Sequence, residues 1–177
     1  MKLANLISIS RIFFMLLNLA ISSFISPFFN SLFVFFVYSL DLFDGIVARR
    51  RGSVPFGEFV DIMIDRVITL SYFAFHLHRG MLPFWFFFFV LVRDLIVDYV
   101  FYFRLISGGG LERHRSTRGM FYTVYTSRAS RALNGFLQVL IAAWGFFCPV
   151  PLWVLILFLA NSYIRAFPNF IELWRKV

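Results

Sequence analysis

Charge is scarce in this chain. Asp, Glu, Lys and Arg make up 15% of its 177 residues, against 60% hydrophobic residues and 27 Phe, and a soluble domain of this size could not cover so much apolar surface with so few charges. Cysteine is scarcer still: a lone Cys148 excludes an intramolecular disulfide, and its place in an apolar turn suits packing. With no internal repeat and no disordered linker, one domain over residues 1–177 is the simplest organisation. The first apolar run lacks a small-residue cleavage site and contains Arg11 and Asn18, so a retained first span is expected rather than a signal peptide. Gly108 to Gly110 are not followed by Lys-Ser/Thr, which makes them a connector and not a phosphate cradle.

What is present is apolar sequence in long stretches. They fall at 4–26, 28–48, 58–78, 82–105, 120–147 and 151–173, each long enough for about 30 Å of hydrocarbon. The expected fold is therefore an all-α integral membrane protein with six transmembrane helices. Lys2, Arg49, Arg50, Arg51, Arg104, Arg113, Arg115, Arg118, Arg175 and Lys176 lie on one side of such a bundle, and Arg79 is alone in a loop on the other. Because basic residues accumulate on the cytoplasmic side, both termini and the 49–57 and 104–119 loops are expected there, in the bacterial inner membrane or its equivalent. A net charge of +8 suits an anionic partner, either lipid headgroups or a phosphorylated substrate. Nucleic acid is excluded as a partner because the basic residues hug membrane boundaries.

Against this apolar background, Asp41, Asp44, Asp61 and Asp65 stand close together. On a helix the first pair lies about 60° apart around the axis and the second about 40° apart, so each pair shares a face and the two pairs can converge. Asp41 and Asp44 fall in the last turns of the second helix, and Asp61 and Asp65 in the first turns of the third, where the helix dipole favours anions. A charge at a bilayer centre costs roughly 2.5 to 3.5 kcal/mol on insertion scales, so four acids are kept only where water, metal or partners compensate. A divalent-metal site at a membrane surface accounts for them better than a solvated charge cluster does. Hard oxygen donors suit Mg²⁺ or Mn²⁺, and no His or Cys lies near enough in sequence to favour zinc.

The stretch reads Asp-x-x-Asp-Gly-x-x-Ala-Arg, seven residues, then Gly-x-x-x-Asp-x-x-x-Asp. It resembles the signature of the CDP-alcohol phosphotransferase family of phospholipid-synthesis enzymes, matched at Asp41, Asp44, Gly45, Ala48, Arg49, Gly57, Asp61 and Asp65. The interval from Arg49 to Gly57 is one residue shorter than usual, a change that a loop absorbs. The resemblance implies six transmembrane helices, a cytoplasm-facing polar cavity and a homodimer. It implies transfer of a phosphoryl-bearing group from a CDP-linked substrate to a small alcohol acceptor, with release of CMP and with Mg²⁺ or Mn²⁺. Two such ions would neutralise the pyrophosphate, and the shortness of the chain leads us to expect CDP-diacylglycerol as the donor and hence a phosphatidyl group as the one transferred. Asp41, Asp44 and Asp61 then look like metal ligands, and Asp65 like the general base, touching the second metal as well. Gly45, Ala48, Arg49 and Gly57 look like the nucleotide and donor site; for Gly45 and Ala48, tight helix packing is an equally good reading.

Other polar positions divide less sharply. Arg66, Arg118, Arg128 and Arg131 are candidates for an acceptor or phosphate pocket, with mutual pairing as the alternative. Arg93 with Asp94 or Asp98 is either a buried ion pair or part of a functional site. Arg11, Asn18, Asn161 and Arg165 are read as interhelical hydrogen-bonding or snorkelling residues, and His76 and His78 as interfacial residues beside Arg79. The acceptor stays open between an inositol-type alcohol, favoured by Arg66 after Asp65, and glycerol 3-phosphate, favoured by the Asn5 to Arg11 opening. A divalent-cation transporter built on the same aspartates is the competing class, and it would favour repeated or broken helices.

Overall fold

Prolines and glycines set the helix ends. The computed structural model describes residues 3–51, 55–106 and 127–176, with side chains described at 9–40, 62–100, 102, 127, 129–168, 170, 171 and 174. Six helices occupy them: α1 (Leu3–Ile21), α2 (Pro27–Arg51), α3 (Pro55–His78), α4 (Phe84–Ile106), α5 (Arg128–Trp144) and α6 (Leu152–Lys176). Pro27 and Pro55 open α2 and α3, where a missing N–H leaves no orphan and the fixed φ suits a helix. α1 stops at Ile21, earlier than the apolar run alone suggests, because the Ser22 hydroxyl donates to the Leu19 carbonyl at 2.8 Å and Asn30 Nδ2 donates to the Ser22 carbonyl at 3.0 Å. α3 ends in a Schellman turn: Gly80 has φ 72°, its N–H bonds Leu77 at 3.0 Å, and Met81 N–H bonds the His76 carbonyl at 2.8 Å. α6 runs through Pro168, with Tyr163 and Phe170 stacked at 6.1 Å across that position.

The six helices stand at the six apolar stretches of the sequence. The start expected for the fifth, residues 120–126, lies outside the described residues. Among the described residues no helix is long and apolar enough to cross a membrane; in α2 and α3 the acids and arginines of the motif break the apolar runs.

The helices group into two compact units, residues 1–83 with 139–150, and residues 84–138 with 151–177. In the first, Ile64, Ile68 and Tyr72 follow one another at helical spacing on α3 and are buried with Met15, Val34, Val37 and Phe146. Polar bonds pin this core: Asn18 Nδ2 donates to Asn30 Oδ1 at 3.1 Å, and the Ser31 hydroxyl donates to the Ala143 carbonyl at 2.8 Å. In the second unit Phe86, Val90, Leu137, Val154, Leu155 and Phe158 are buried. There Ser162 donates to Asn134 Oδ1 at 2.6 Å, Asn161 Nδ2 to the Ser130 carbonyl at 3.2 Å, and Tyr163 to the Phe89 carbonyl at 2.9 Å.

Candidate functional site

The motif sits where two consecutive helices carry its acids. α2 holds Asp41, Asp44, Gly45, Ala48 and Arg49, and α3 holds Gly57, Asp61 and Asp65, so each aspartate pair does fall within one turn of a helix. Contacts of the side chains at 41, 44, 48, 49 and 61 lie outside the described residues, as do the backbone of Arg118 and the side chain of Arg128. Among the described residues no cluster of three His, Cys, Asp or Glu is poised to hold a metal. Asp65 is the motif carboxylate whose surroundings are described.

Asp65 is held from α1. Arg11 Nη2 donates to Asp65 Oδ1 at 2.6 Å, with the Arg11 side chain completely buried and that of Asp65 44% exposed. The same guanidinium donates through Nε to the Val37 carbonyl on α2 at 3.4 Å. At the backbone, the Thr69 hydroxyl donates to the Asp65 carbonyl at 2.8 Å, which leaves the Tyr38 hydroxyl to donate to Thr69 Oγ1 at 3.2 Å. Arg11 is thus an interhelical hydrogen-bonding residue, as its type and place suggest. That its partner is Asp65 could not be read from the sequence, where the other motif acids were equally eligible.

The secondary candidates resolve differently. Arg66 follows Asp65 on α3 and is partly buried, and Arg131 is partly buried on α5, in the second compact unit. Arg93 pairs with its neighbour Asp94 through Nη1 and Oδ1, both side chains being buried, which favours the ion-pair reading and selects Asp94 for it. Asn161 bonds Ser130 and Asn134, and Arg165 Nη1 donates to the Ser130 carbonyl at 3.2 Å, so both make interhelical bonds. His76 is completely buried: Nε2 donates to the Ala142 carbonyl at 2.8 Å, and Phe146 packs edge-on at 4.8 Å. His78, two positions on, is exposed because a step of two turns a helix side chain to a nearly opposite face. Cys148 is exposed rather than packed, and accepts the Trp144 indole N–H at 3.0 Å.

A family model described as CDP-alcohol phosphatidyltransferase matches residues 1–160. No curated protein matches the chain. The matched span takes in both motif helices, Arg11, and the chain as far as the first turns of α6.

Proposed function

This chain belongs to the CDP-alcohol phosphatidyltransferase family, and we propose that it transfers a phosphatidyl group from CDP-diacylglycerol to an inositol-type alcohol or glycerol 3-phosphate, releasing CMP. The family consists of membrane-integral, divalent-cation-dependent transferases that move phosphate-containing groups from CDP-alcohols. One observation carries the reading of the site: Asp65 stands on α3 one turn after Asp61, anchored by a buried arginine yet open enough to meet a substrate.

The donor set fits a hard divalent cation, since the motif supplies carboxylate oxygens alone. Asp41, Asp44 and Asp61, with Asp65 at the edge of the set, would hold Mg²⁺ or Mn²⁺, and such ions neutralise a diphosphate and the departing phosphate of CMP. Asp65 accepts the acceptor's hydroxyl proton. The freed oxygen forms a bond to the β-phosphorus of the donor, the bond from that phosphorus to the bridging oxygen breaks, and its electron pair leaves with CMP. Arg49 grips diphosphate oxygens, and Gly45, Ala48 and Gly57 admit the nucleotide close to the helices. Arg66, Arg118, Arg128 and Arg131 are the candidates for the acceptor side.

Residence in the membrane belongs to the same reading. Phe13, Phe24, Phe28, Phe84, Trp153 and Trp174 are all exposed, an outward apolar surface that lipid covers and water does not. Homodimer formation and a cytoplasmic site are part of the proposal as well.

The experiment is CMP release from CDP-diacylglycerol and Mg²⁺ by purified, folded protein, with inositol, inositol phosphate, glycerol 3-phosphate and serine offered in turn. Release with one acceptor is expected. Silence with all of them overturns the proposed reaction.

A further inference from the structure

Arg11 lies outside the motif, and a desolvated arginine is costly unless it is paired and hydrogen-bonded. It bonds to both α3 and α2: Nη2 to Asp65 Oδ1 at 2.6 Å and Nε to the Val37 carbonyl at 3.4 Å. Val37 precedes Asp41 by one turn on α2. One planar group on α1 therefore ties together the two helices that bear the four aspartates. The pair is unequal, with the cation fully buried and the acid 44% exposed, so the interaction anchors the carboxylate without enclosing it. We propose that Arg11 is a positioning residue for the transfer reaction: it fixes the rotamer of Asp65 so that the carboxylate meets the acceptor hydroxyl.

The proposal rests on Asp65 as the group that takes the acceptor proton. A guanidinium suits the task because its donors are held in a rigid fork; an ammonium is a compact point charge that cannot keep the same two bonds. The Tyr38 and Thr69 hydroxyls support the backbone at Asp65, while Arg11 bonds the side chain itself. Misplacing a reacting group by about 1 Å can cost on the order of 100-fold in rate without altering what is bound.

The test compares Arg11→Lys, Arg11→Gln and Asp65→Asn in the full chain in detergent micelles. CMP release is measured per folded molecule with the acceptor that wild type uses, Mn²⁺ binding by electron paramagnetic resonance, and CDP binding by calorimetry. Both Arg11 variants are expected to bind Mn²⁺ and CDP within about twofold of wild type and to keep KM, while kcat falls roughly 10- to 100-fold. Wild-type kcat in Arg11→Lys, or a loss mirrored by equal weakening of Mn²⁺ or CDP binding, overturns the positioning role. So does a fall in folded fraction alone, with turnover per folded molecule unchanged. Full turnover in Asp65→Asn instead removes the underlying reading of Asp65, an outcome separate from the Arg11 result. If Arg11→Gln does not fold, Arg11→Lys decides, since it keeps the buried charge opposite Asp65.

Discussion

The imidazole of His76 lies directly against Gly145, where a Cβ would fall 2.6 Å from Cγ of the ring and 2.8 Å from Nδ1. The ring cannot retreat, because Nε2 is bonded to the Ala142 carbonyl on the same helix and Phe146 closes the next side. Gly145→Ala is therefore expected to destabilise the protein by about 1 to 3 kcal/mol through overpacking. The midpoint of denaturant unfolding in detergent measures it, and an unchanged midpoint would show that the ring has room the structure does not give it.

The ligand and base roles proposed for the aspartates can be told apart by substitution. Asp65→Asn is expected to keep Mn²⁺ and nucleotide binding and to lose nearly all turnover, because the amide cannot accept the proton. Asp44→Asn and Asp61→Asn are expected to weaken metal binding itself, with partial recovery of activity at raised Mn²⁺ or Mg²⁺. CMP release across a metal titration checks this; full rescue of Asp65→Asn by excess metal would make it one more ligand.

The buried Arg93 and Asp94 pair on α4 is read as structure. Arg93→Met removes the cation bonded to the buried Asp94 and is expected to cost about 3 to 5 kcal/mol, much of it recovered in Arg93→Met/Asp94→Leu. Unfolding midpoints of the single and double variants, with turnover per folded molecule alongside, decide the matter. A double variant that folds well yet has lost turnover would move this pair into the functional site.

Asn30 is the hub of the α1 to α2 turn: it accepts from Asn18 and donates to the carbonyls of Ser22, Ile25 and Ser26 at 3.0 to 3.3 Å. Asn30→Leu strands buried Asn18, and a loss of about 1 to 3 kcal/mol is expected. Adding Asn18→Leu should restore part of that loss. Failure of the second change to help would mean that the turn carbonyls, not Asn18, carry the effect.

The lone thiol reports sidedness. Cys148 is exposed and, in the proposed topology, lies with Arg79 on the face opposite both termini. A membrane-impermeant maleimide added to intact cells stripped of their outer envelope is expected to label it without permeabilisation. Labelling that appears only after the membrane is opened reverses the proposed orientation.

Where the helices lie was legible from the residues alone, and so was the placement of the motif acids in pairs along α2 and α3. Apolar run length, Pro27, Pro55 and Gly80 are local signals, and the turns they mark are made by residues a few positions apart. The spacing of Asp41 with Asp44, and of Asp61 with Asp65, needs only helical periodicity to put each pair on one face. Partner choice was another matter. Arg11 and Asp65 are 54 positions apart, and no local preference says which acid a buried arginine will meet. The burial of His76 was hidden for the same reason: it depends on the approach of Gly145 and the Ala142 carbonyl from far along the chain. Asp94 against Asp98 as the partner of Arg93, and the exposure of Cys148, likewise depended on packing between distant segments. Such contacts are settled by which surfaces remain to be covered once the helices are in place, and that is decided only in three dimensions.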